Sequence, residues 1–193
     1  MTYKKERGMG MELKIPENFF VGAAMSGPQT EGAYKTGGRL ESIWDTWSDL
    51  SISDFYNKVG SYVGNNFYEK YEDDIKLLKS LHMDSFRTSM QWSRLLTKDG
   101  KLNQEGAQFY HKVCKCAKEN QIELFMNLYH FDMPTYLFER GGWESRDVVE
   151  AYAAYARAAF REFGSEIRYW FTFNEPIVEP DQRYRNGFWY PFI

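Results

Sequence analysis

The sequence has little of what would place it in several common classes of protein. Its 193 residues include only two cysteines, and the formal net charge is −3. Cys114 and Cys116 lie two positions apart in a helical pattern, so their side chains point to different faces and indicate neither a disulfide framework nor a metal site. The chain also has no basic cluster that could bind the phosphates of a nucleic acid.

Long apolar runs are missing as well. Residues 1–16 contain lysines and glutamates but no apolar core of signal-peptide length, and no later run approaches the length that spans a membrane. We therefore expect a cytoplasmic protein with neither a nucleic-acid nor a membrane partner. What the sequence does contain is 43% hydrophobic and 18% aromatic residues, which is enough for a globular core.

Strand and helix patterns alternate along the chain. Short apolar runs predict strands over residues 19–25, 85–91, 122–128 and 168–173. Apolar residues at helical spacing predict helices that begin near residue 66, after a cap at Asn103 and after a cap at Ser145. This alternation favours a parallel α/β sheet with helical crossovers. Residues 1–14 are interpreted as a polar tail, which leaves residues 15–193 for the fold.

Polar side chains stand where the predicted strands end. The apolar run 170–173 stops at Asn174, Glu175 and Pro176, and Pro176 has no N–H for a central ladder, so the strand is predicted to end at Asn174 or Glu175. Functional side chains of parallel α/β proteins collect at the carboxyl ends of strands, which makes Glu175 a candidate catalytic carboxylate. The alternative is an acid at a helix N-terminus or in a solvated loop.

Three more polar residues belong to this pattern. Gln29 follows the first predicted strand and His130 follows the third. Arg87 lies inside the second strand, where burial is costly unless an anion is paired with it. A carboxylate partner is therefore implied, unless Arg87 extends its charged end to the surface.

A doubly wound nucleotide-binding sheet would alternate in the same way. It should carry a glycine-rich phosphate turn after its first strand, and residues 26–29 do not fit either common form of that turn. A barrel of parallel strands with outer helices, the other parallel fold considered, is therefore favoured over the doubly wound sheet.

A series of short blocks keeps a recognisable order and spacing over residues 17–178. The blocks are Phe20-Val21-Gly22-Ala23-Ala24, Gln29-Thr30-Glu31-Gly32, Ser42-Ile43-Trp44-Asp45, Tyr71-Glu72-Asp73-Asp74, Phe86-Arg87-Thr88-Ser89-Met90-Gln91-Trp92-Ser93-Arg94, Leu128-Tyr129-His130-Phe131-Asp132-Met133-Pro134, Gly141-Gly142-Trp143 and Thr172-Phe173-Asn174-Glu175-Pro176. In these blocks the chain resembles glycoside hydrolase family 1.

The resemblance implies a fold. Family 1 enzymes are eight-stranded (β/α)8 TIM barrels, and such barrels run to about 250 residues or more. With four predicted strands, residues 15–193 are expected to be about the amino-terminal half of one barrel. A barrel core together with sugar stacking would account for the large aromatic share.

The resemblance also implies a chemistry. Family members retain configuration by using two carboxyl groups, one as acid/base and one as nucleophile. The acid/base maps to Glu175, and Asn174 maps to a contact with the sugar 2-hydroxyl. Gln29 and His130 map to hydroxyl contacts of the nonreducing sugar, and Arg87 to the support of a nucleophile that would lie beyond residue 193. Neither a cofactor nor a metal is implied.

Within the family, the blocks around Gln29, Arg87 and His130 look more like those of bacterial 6-phospho-β-glucosidases. Phe131, a further substrate-binding candidate, stands where unphosphorylated β-glucosidases usually have tryptophan. We therefore expect a phosphorylated β-glucoside as the substrate. An unphosphorylated β-glucosidase, a 6-phospho-β-galactosidase, and an inactive half-barrel with at most sugar binding are the alternatives.

Overall fold

Four parallel strands form the sheet of this protein. The computed structural model describes residues 14–192, so nearly all of the predicted polar tail, residues 1–14, lies outside the described residues. The strands pair in chain order, from the first to the fourth. Their bounds are β1 Gly22–Ala24, β2 Ser85–Ser89, β3 Glu123–Asn127 and β4 Tyr169–Phe171.

Helices follow every strand, and the one after β4 is a π-helical segment, Pro180–Arg185. The short helices are α1 Gly27–Thr30, α2 Ile43–Leu50, α4 Trp92–Leu95 and α6 Thr135–Phe138. The long helices are α3 Phe67–Ser80, α5 Gln104–Glu119 and α7 Arg146–Phe163, and each leads into the next strand. The predicted alternation of strands and helices is therefore confirmed. No helix within residues 14–192 is long and apolar enough to cross a membrane.

The core lies between the sheet and the three long helices. Because side chains alternate across a strand, Phe86, Leu124 and Met126 all face the helices, and each is at most 4% exposed. From the helices, the apolar stripes supply Ile75, Val113, Tyr155, Ala159 and Phe163, all buried. This packing fixes the sheet and with it the carboxyl ends of the strands.

The other face of the sheet is aromatic. The rings of Phe125 and Tyr169 stack with centroids 4.7 Å apart, and Phe20 meets Phe125 at 5.2 Å. Phe20 and Phe171 remain 42% and 43% exposed. This face is therefore partly open to solvent. Among the described residues, β1 and β4 each pair with a single strand and form the two edges of the sheet.

The fourth strand ends earlier than predicted. Its regular pairing stops at Phe171, and not at Asn174 or Glu175. Beyond Phe171 the Thr172 carbonyl accepts a hydrogen bond from the Tyr152 hydroxyl (2.6 Å), a partner that the strand pattern could not reveal. The Asn174 N–H still bonds to the Tyr129 carbonyl (2.9 Å), so Asn174 lies beside the end of β3 although it is outside the ladder.

A buried ion pair joins the segments that follow β1 and β2. The Arg94 Nε donates to Glu31 Oε2 at 2.7 Å, and the two side chains are 0% and 2% exposed. Gln91 donates to the same oxygen at 2.7 Å, and the Tyr110 hydroxyl donates to Oε1 at 2.8 Å. Removal of one partner would leave a charge without compensation in the interior, which is much more costly than loss of a surface pair.

We therefore expect Arg94→Met to lower the free energy of unfolding by about 3–5 kcal/mol. Lys76→Met is the matched control, since Lys76 pairs with Glu72 on the surface, with side chains 58% and 59% exposed. That control should cost less than about 1 kcal/mol. Urea unfolding of the unsubstituted chain and the two variants measures both changes in the free energy of unfolding. Equal losses in the two variants would contradict the structural role of the buried pair.

Candidate active site

A cleft of about 530 Å³ opens at the carboxyl ends of the strands. Four of the predicted site residues line it, namely Gln29, His130, Phe131 and Glu175. They come from the segments after β1, β3 and β4, which parallel pairing brings to one edge of the sheet. The structure thus assembles residues that are up to 146 positions apart in the sequence, from 29 to 175.

The other two predicted residues stand behind Glu175. Arg87 Nη2 donates to Asn174 Oδ1 at 2.7 Å, and Asn174 Nδ2 donates to Glu175 Oε2 at 3.0 Å. This line of hydrogen bonds orients the Asn174 amide, because its oxygen faces a cation and its NH₂ group faces a carboxylate. Four of the six predicted side chains thus line the cleft, Asn174 is one hydrogen bond from Glu175 in that lining, and Arg87 is two hydrogen bonds away.

Arg87 has a different partner from the one that its position in a strand predicted. Within residues 14–192 it makes no ion pair, and its guanidinium instead contacts the Asn174 amide and lies 5.4 Å from the ring centre of Phe171. Neither contact carries a negative charge. The carboxylate partner predicted from the sequence stays a prediction.

Two residues of the cleft have left-handed backbone conformations. Glu175 has φ of 40° and Phe131 has φ of 66°, a region in which side chains other than glycine are uncommon. Each such residue costs on the order of 1–3 kcal/mol and persists only when its surroundings hold it. Such strain clusters at functional sites, and here it falls on a candidate acid and a candidate substrate contact.

His130 is neutral at neutral pH. Burial, and to a smaller extent the nearby Arg87 charge, together lower its pKa to about 4. A neutral imidazole has one donor and one acceptor nitrogen. Its Nδ1 atom is buried and has no hydrogen-bond partner among the described residues. His130 can therefore meet a sugar hydroxyl either as donor or as acceptor.

Gln29 is the most accessible of the sugar-contact candidates. It lies in α1, its side chain is exposed, and its Oε1 accepts a hydrogen bond from the Ser26 hydroxyl at 2.6 Å. That bond orients the amide and leaves its NH₂ group free to donate into the cleft.

Asp132 supports the site and was not among the predicted site residues. It is fully buried and accepts hydrogen bonds from the backbone N–H of Trp92 (3.2 Å) and of His130 (3.1 Å). These bonds tie the His130 segment to the end of β2. Burial raises the pKa of Asp132 to about 7. Its place inside a matched block was the signal that could have identified it.

One further wall of the cleft is apolar, and its residues were also missed. Trp44, Phe55, Val59, Val178 and Trp189 line this side. They come from segments with no regular strand pattern, so neither periodicity nor spacing indicates that they meet. The hints were the matched block that contains Trp44 and the dense aromatic run over residues 188–192.

The low pKa of His130 gives a testable pH dependence. An unfolded histidine takes its proton near pH 6.5, but folded His130 does so only near pH 4. The unfolded chain therefore binds more protons between these values, and the His130 contribution to stability falls as pH drops from about 6.5 to about 4. NMR titration of the imidazole should give a pKa near 4, and in Arg87→Met that pKa should rise. A His130 pKa at or above 6.5 would contradict this assignment.

Comparison with known proteins agrees with the geometry. The model of glycosyl hydrolase family 1 matches residues 11–193. The chain is 42% identical over 181 residues to 6-phospho-beta-glucosidase GmuD of Bacillus subtilis (strain 168), covering 93% of this chain and 39% of that protein. It is 39% identical over 175 residues to Beta-glucosidase 9 of Arabidopsis thaliana, covering 90% of this chain and 34% of that protein.

Solved structures give the same result. The rice Os3BGlu6 beta-glucosidase has a TM-score of 0.86 at 36% identity, over 92% of this chain and 37% of that chain. A family 1 β-glucosidase from Thermotoga maritima has a TM-score of 0.88 at 32% identity, over 93% of this chain and 41% of that chain. The chain thus spans well under half the length of these relatives, and its four strands form about half of the predicted barrel. It belongs to glycosyl hydrolase family 1.

Proposed function

We propose that this chain contributes the acid/base half of a retaining glycosidase that cleaves 6-phospho-β-glucosides. The observation that carries the proposal is the hydrogen-bonded line from Arg87 through Asn174 to Glu175, at the edge of a cleft that also holds Gln29 and His130. A carboxyl group, an amide and a neutral imidazole around one cleft suit the recognition and cleavage of a sugar.

In this mechanism Glu175 donates its proton to the glycosidic oxygen as the bond to the sugar breaks. Asn174 donates to the sugar 2-hydroxyl, while Gln29 and His130 bind hydroxyls of the same ring. A carboxylate attacks the anomeric carbon from the opposite side, and Glu175 then accepts a proton from the water that releases the sugar. Arg87 is the cation that would keep the attacking carboxylate ionised.

The nucleophile is proposed to lie beyond residue 193. Two other carboxylates in the segments after the strands, Glu31 and Asp132, have all of their contacts within the protein. Glu31 is occupied by hydrogen bonds from Arg94, Gln91 and Tyr110, and it is 1% exposed. Asp132 is 0% exposed and accepts two backbone N–H groups. Neither carboxylate can reach a sugar without breaking these contacts, which supports a nucleophile from elsewhere.

The phosphorylated substrate is supported by similarity and by Phe131. The 42% identity to a 6-phospho-beta-glucosidase is only slightly above the 39% identity to a plant β-glucosidase, so the unphosphorylated β-glucosidase is the second candidate. A 6-phospho-β-galactosidase and a noncatalytic sugar-binding half-barrel are further alternatives. The cytoplasmic location, the extent of the domain over residues 15–193, and the absence of a cofactor and of nucleic-acid or membrane partners stay predictions from the sequence.

The first test of this proposal concerns the proton donor. In a chimera that joins this chain to the remaining length of the GmuD relative, Glu175→Gln should slow hydrolysis of a 6-phosphorylated disaccharide by about two to four orders of magnitude. Aryl substrates with good leaving groups need less protonation and should lose less. Glu139→Gln, at an exposed position outside the cleft, is the matched control, and the 193-residue chain alone is the blank. Equal losses on both substrates would contradict an acid role.

The second test concerns the phosphate. The same chimera should have a higher kcat/KM for an aryl 6-phospho-β-glucoside than for the unphosphorylated aryl β-glucoside, because a bound phosphate makes strong charge-assisted hydrogen bonds. Parallel assays of the corresponding galactosides measure the choice at the 4-hydroxyl, where we expect glucose to be preferred. Equal kcat/KM values with and without phosphate would favour the plain β-glucosidase.

A further inference from the structure

The segment that follows β4 contains a buried ion pair that the proposed mechanism does not use. Arg183 Nε lies 3.0 Å from Glu179 Oε1, and the side chains of Arg183 and Glu179 are 2% and 4% exposed. We propose that Glu179 is a positioning residue for the proposed acid/base Glu175, and that it acts by fixing the backbone turn that carries Glu175. The inference deepens the proposed function and rests on it for the role of Glu175.

Glu179 connects three separate segments of the chain through its carboxylate. Its Oε1 accepts hydrogen bonds from the Tyr129 hydroxyl at 2.9 Å and from Arg183 Nε, and its Oε2 accepts one from Trp143 Nε1 at 3.0 Å. Tyr129 follows β3, and Trp143 follows α6. Arg183 belongs to the π-helical segment after β4. Since a buried carboxylate is tolerated only with such partners, these three segments are held in one arrangement.

Tyr129 holds both ends of the turn that contains Glu175. At one end, the N–H of Asn174 donates to the Tyr129 carbonyl at 2.9 Å. At the other end, Glu179 accepts the hydrogen bond of the Tyr129 hydroxyl. Between these ends, the N–H of Val178 donates to the Glu175 carbonyl at 2.8 Å and closes the turn. Residues 174–179 are thus attached at both ends to one tyrosine.

The left-handed backbone of Glu175 needs such attachment. Its φ is 40°, and a residue other than glycine stays in that region only when its surroundings hold it there. Among the described residues, the Glu175 carboxylate has one hydrogen-bond partner, Asn174, which belongs to the same turn. The direction of the carboxyl group therefore follows the backbone of the turn. Loss of the Glu179 contacts would let the turn relax and move the proton away from the glycosidic oxygen.

Glu179 reaches the proposed reaction only through Glu175. It is buried and does not line the cleft, so a substrate in the cleft meets Glu175 and not Glu179. A general acid must stay within hydrogen-bond reach of the atom that it protonates, and a displacement of about 1 Å can lower a rate about a hundredfold. A change at Glu179 is therefore expected to slow proton donation and to leave substrate binding nearly intact.

In the chimera with the GmuD relative, Glu179→Gln tests this role. Glutamine keeps the shape of the side chain, but its NH₂ group meets donors that need an acceptor, and Arg183 loses its buried anion. We expect kcat for the 6-phosphorylated disaccharide to fall about ten- to hundredfold with little change in KM. An aryl substrate with a good leaving group needs less protonation and should lose less.

The double variant with Glu175→Gln separates positioning from a general loss of structure. If Glu179 acts through the acid, its substitution should lower kcat no further, within about twofold, once the acid is absent. A substitution that disturbs the whole cleft would instead lower kcat by the same factor in both backgrounds.

Two other substitutions complete the comparison. Tyr129→Phe removes only the hydroxyl whose hydrogen bond Glu179 accepts. Its loss of rate should have the same substrate dependence but be smaller, since the other two donors remain. Glu150→Gln is the matched control, because Glu150 also pairs with an arginine four positions away, Arg146, but with side chains 66% and 83% exposed. The control should change neither rate.

Hydrogen exchange of the same chimera measures the turn itself, without turnover of a substrate. In Glu179→Gln and in Tyr129→Phe, the N–H groups of Asn174 and Val178 should exchange at least about tenfold faster, because the turn has lost an attachment. The N–H groups of β2 should exchange as before. In Glu150→Gln all of these exchange rates should stay unchanged.

The outcomes separate this inference from the proposed function. Multiplicative losses in the double variant, equal losses on the two substrates, or unchanged exchange at Asn174 and Val178 would overturn the positioning role and leave Glu175 as the acid. Equal losses on the two substrates in Glu175→Gln alone would overturn the proposed acid role and the positioning role with it. If Glu179→Gln also exchanges faster in β2, its structure is lost more widely, and Tyr129→Phe with its own Glu175→Gln double variant decides.

Discussion

The placement of the candidate site depends first on the buried carboxylate of Glu31. It joins the segment after β1 to the segment after β2 through Arg94 and Gln91, and to α5 through Tyr110. Because a buried carboxylate is tolerated only with its partners in place, these segments cannot shift independently. Gln29 lies two positions before Glu31, so the same contacts fix the start of the sugar-contact wall.

The connection continues from Gln91 to the apolar wall. Gln91 Oε1 accepts a hydrogen bond from Arg39 at 2.9 Å, and Arg39 pairs with Asp45 at 2.8 Å. Asp45 also closes the capping box at the start of α2, the helix that carries Trp44. One continuous buried network thus positions a polar residue on one side of the cleft and an aromatic residue on the other.

Buried carboxylates also hold in place the segments that follow two other strands, β3 and β4. Asp132 fixes the segment after β3 through two backbone N–H groups, and Glu179 fixes the segment after β4 through Arg183, Tyr129 and Trp143. The side chains that face the cleft are less fixed by contacts within the protein. Glu175 is exposed, and His130 Nδ1 has no hydrogen-bond partner among the described residues. Rigid support behind available functional groups is what preorganisation of a binding site requires.

Much of this arrangement followed from the sequence because it depends on local pattern. The four strands and three long helices have clear periodicity. Five of the six candidate residues follow a predicted strand, and Arg87 lies within one. The pattern could not supply side-chain partners that are distant in the chain. Asn103 does stand at the start of α5, but its side chain makes no capping bond and instead donates to the carbonyls of Gly37 and Arg94. The early end of β4 and the hydrogen bonds from Tyr129 and Trp143 to Glu179 likewise depend on contacts between segments, which no spacing rule encodes.

Arg87 links the chemistry of the cleft to the open aromatic face of the sheet. Within residues 14–192 its charge meets an amide oxygen and the face of an aromatic ring, each weaker than a carboxylate as a partner for a cation. The same charge helps to lower the pKa of His130. An anion beside Arg87 would offset this positive charge, stabilise the cation and raise the pKa of His130 together. The protonation of the proposed sugar-contact histidine and the ionisation of the proposed nucleophile are therefore coupled through one arginine.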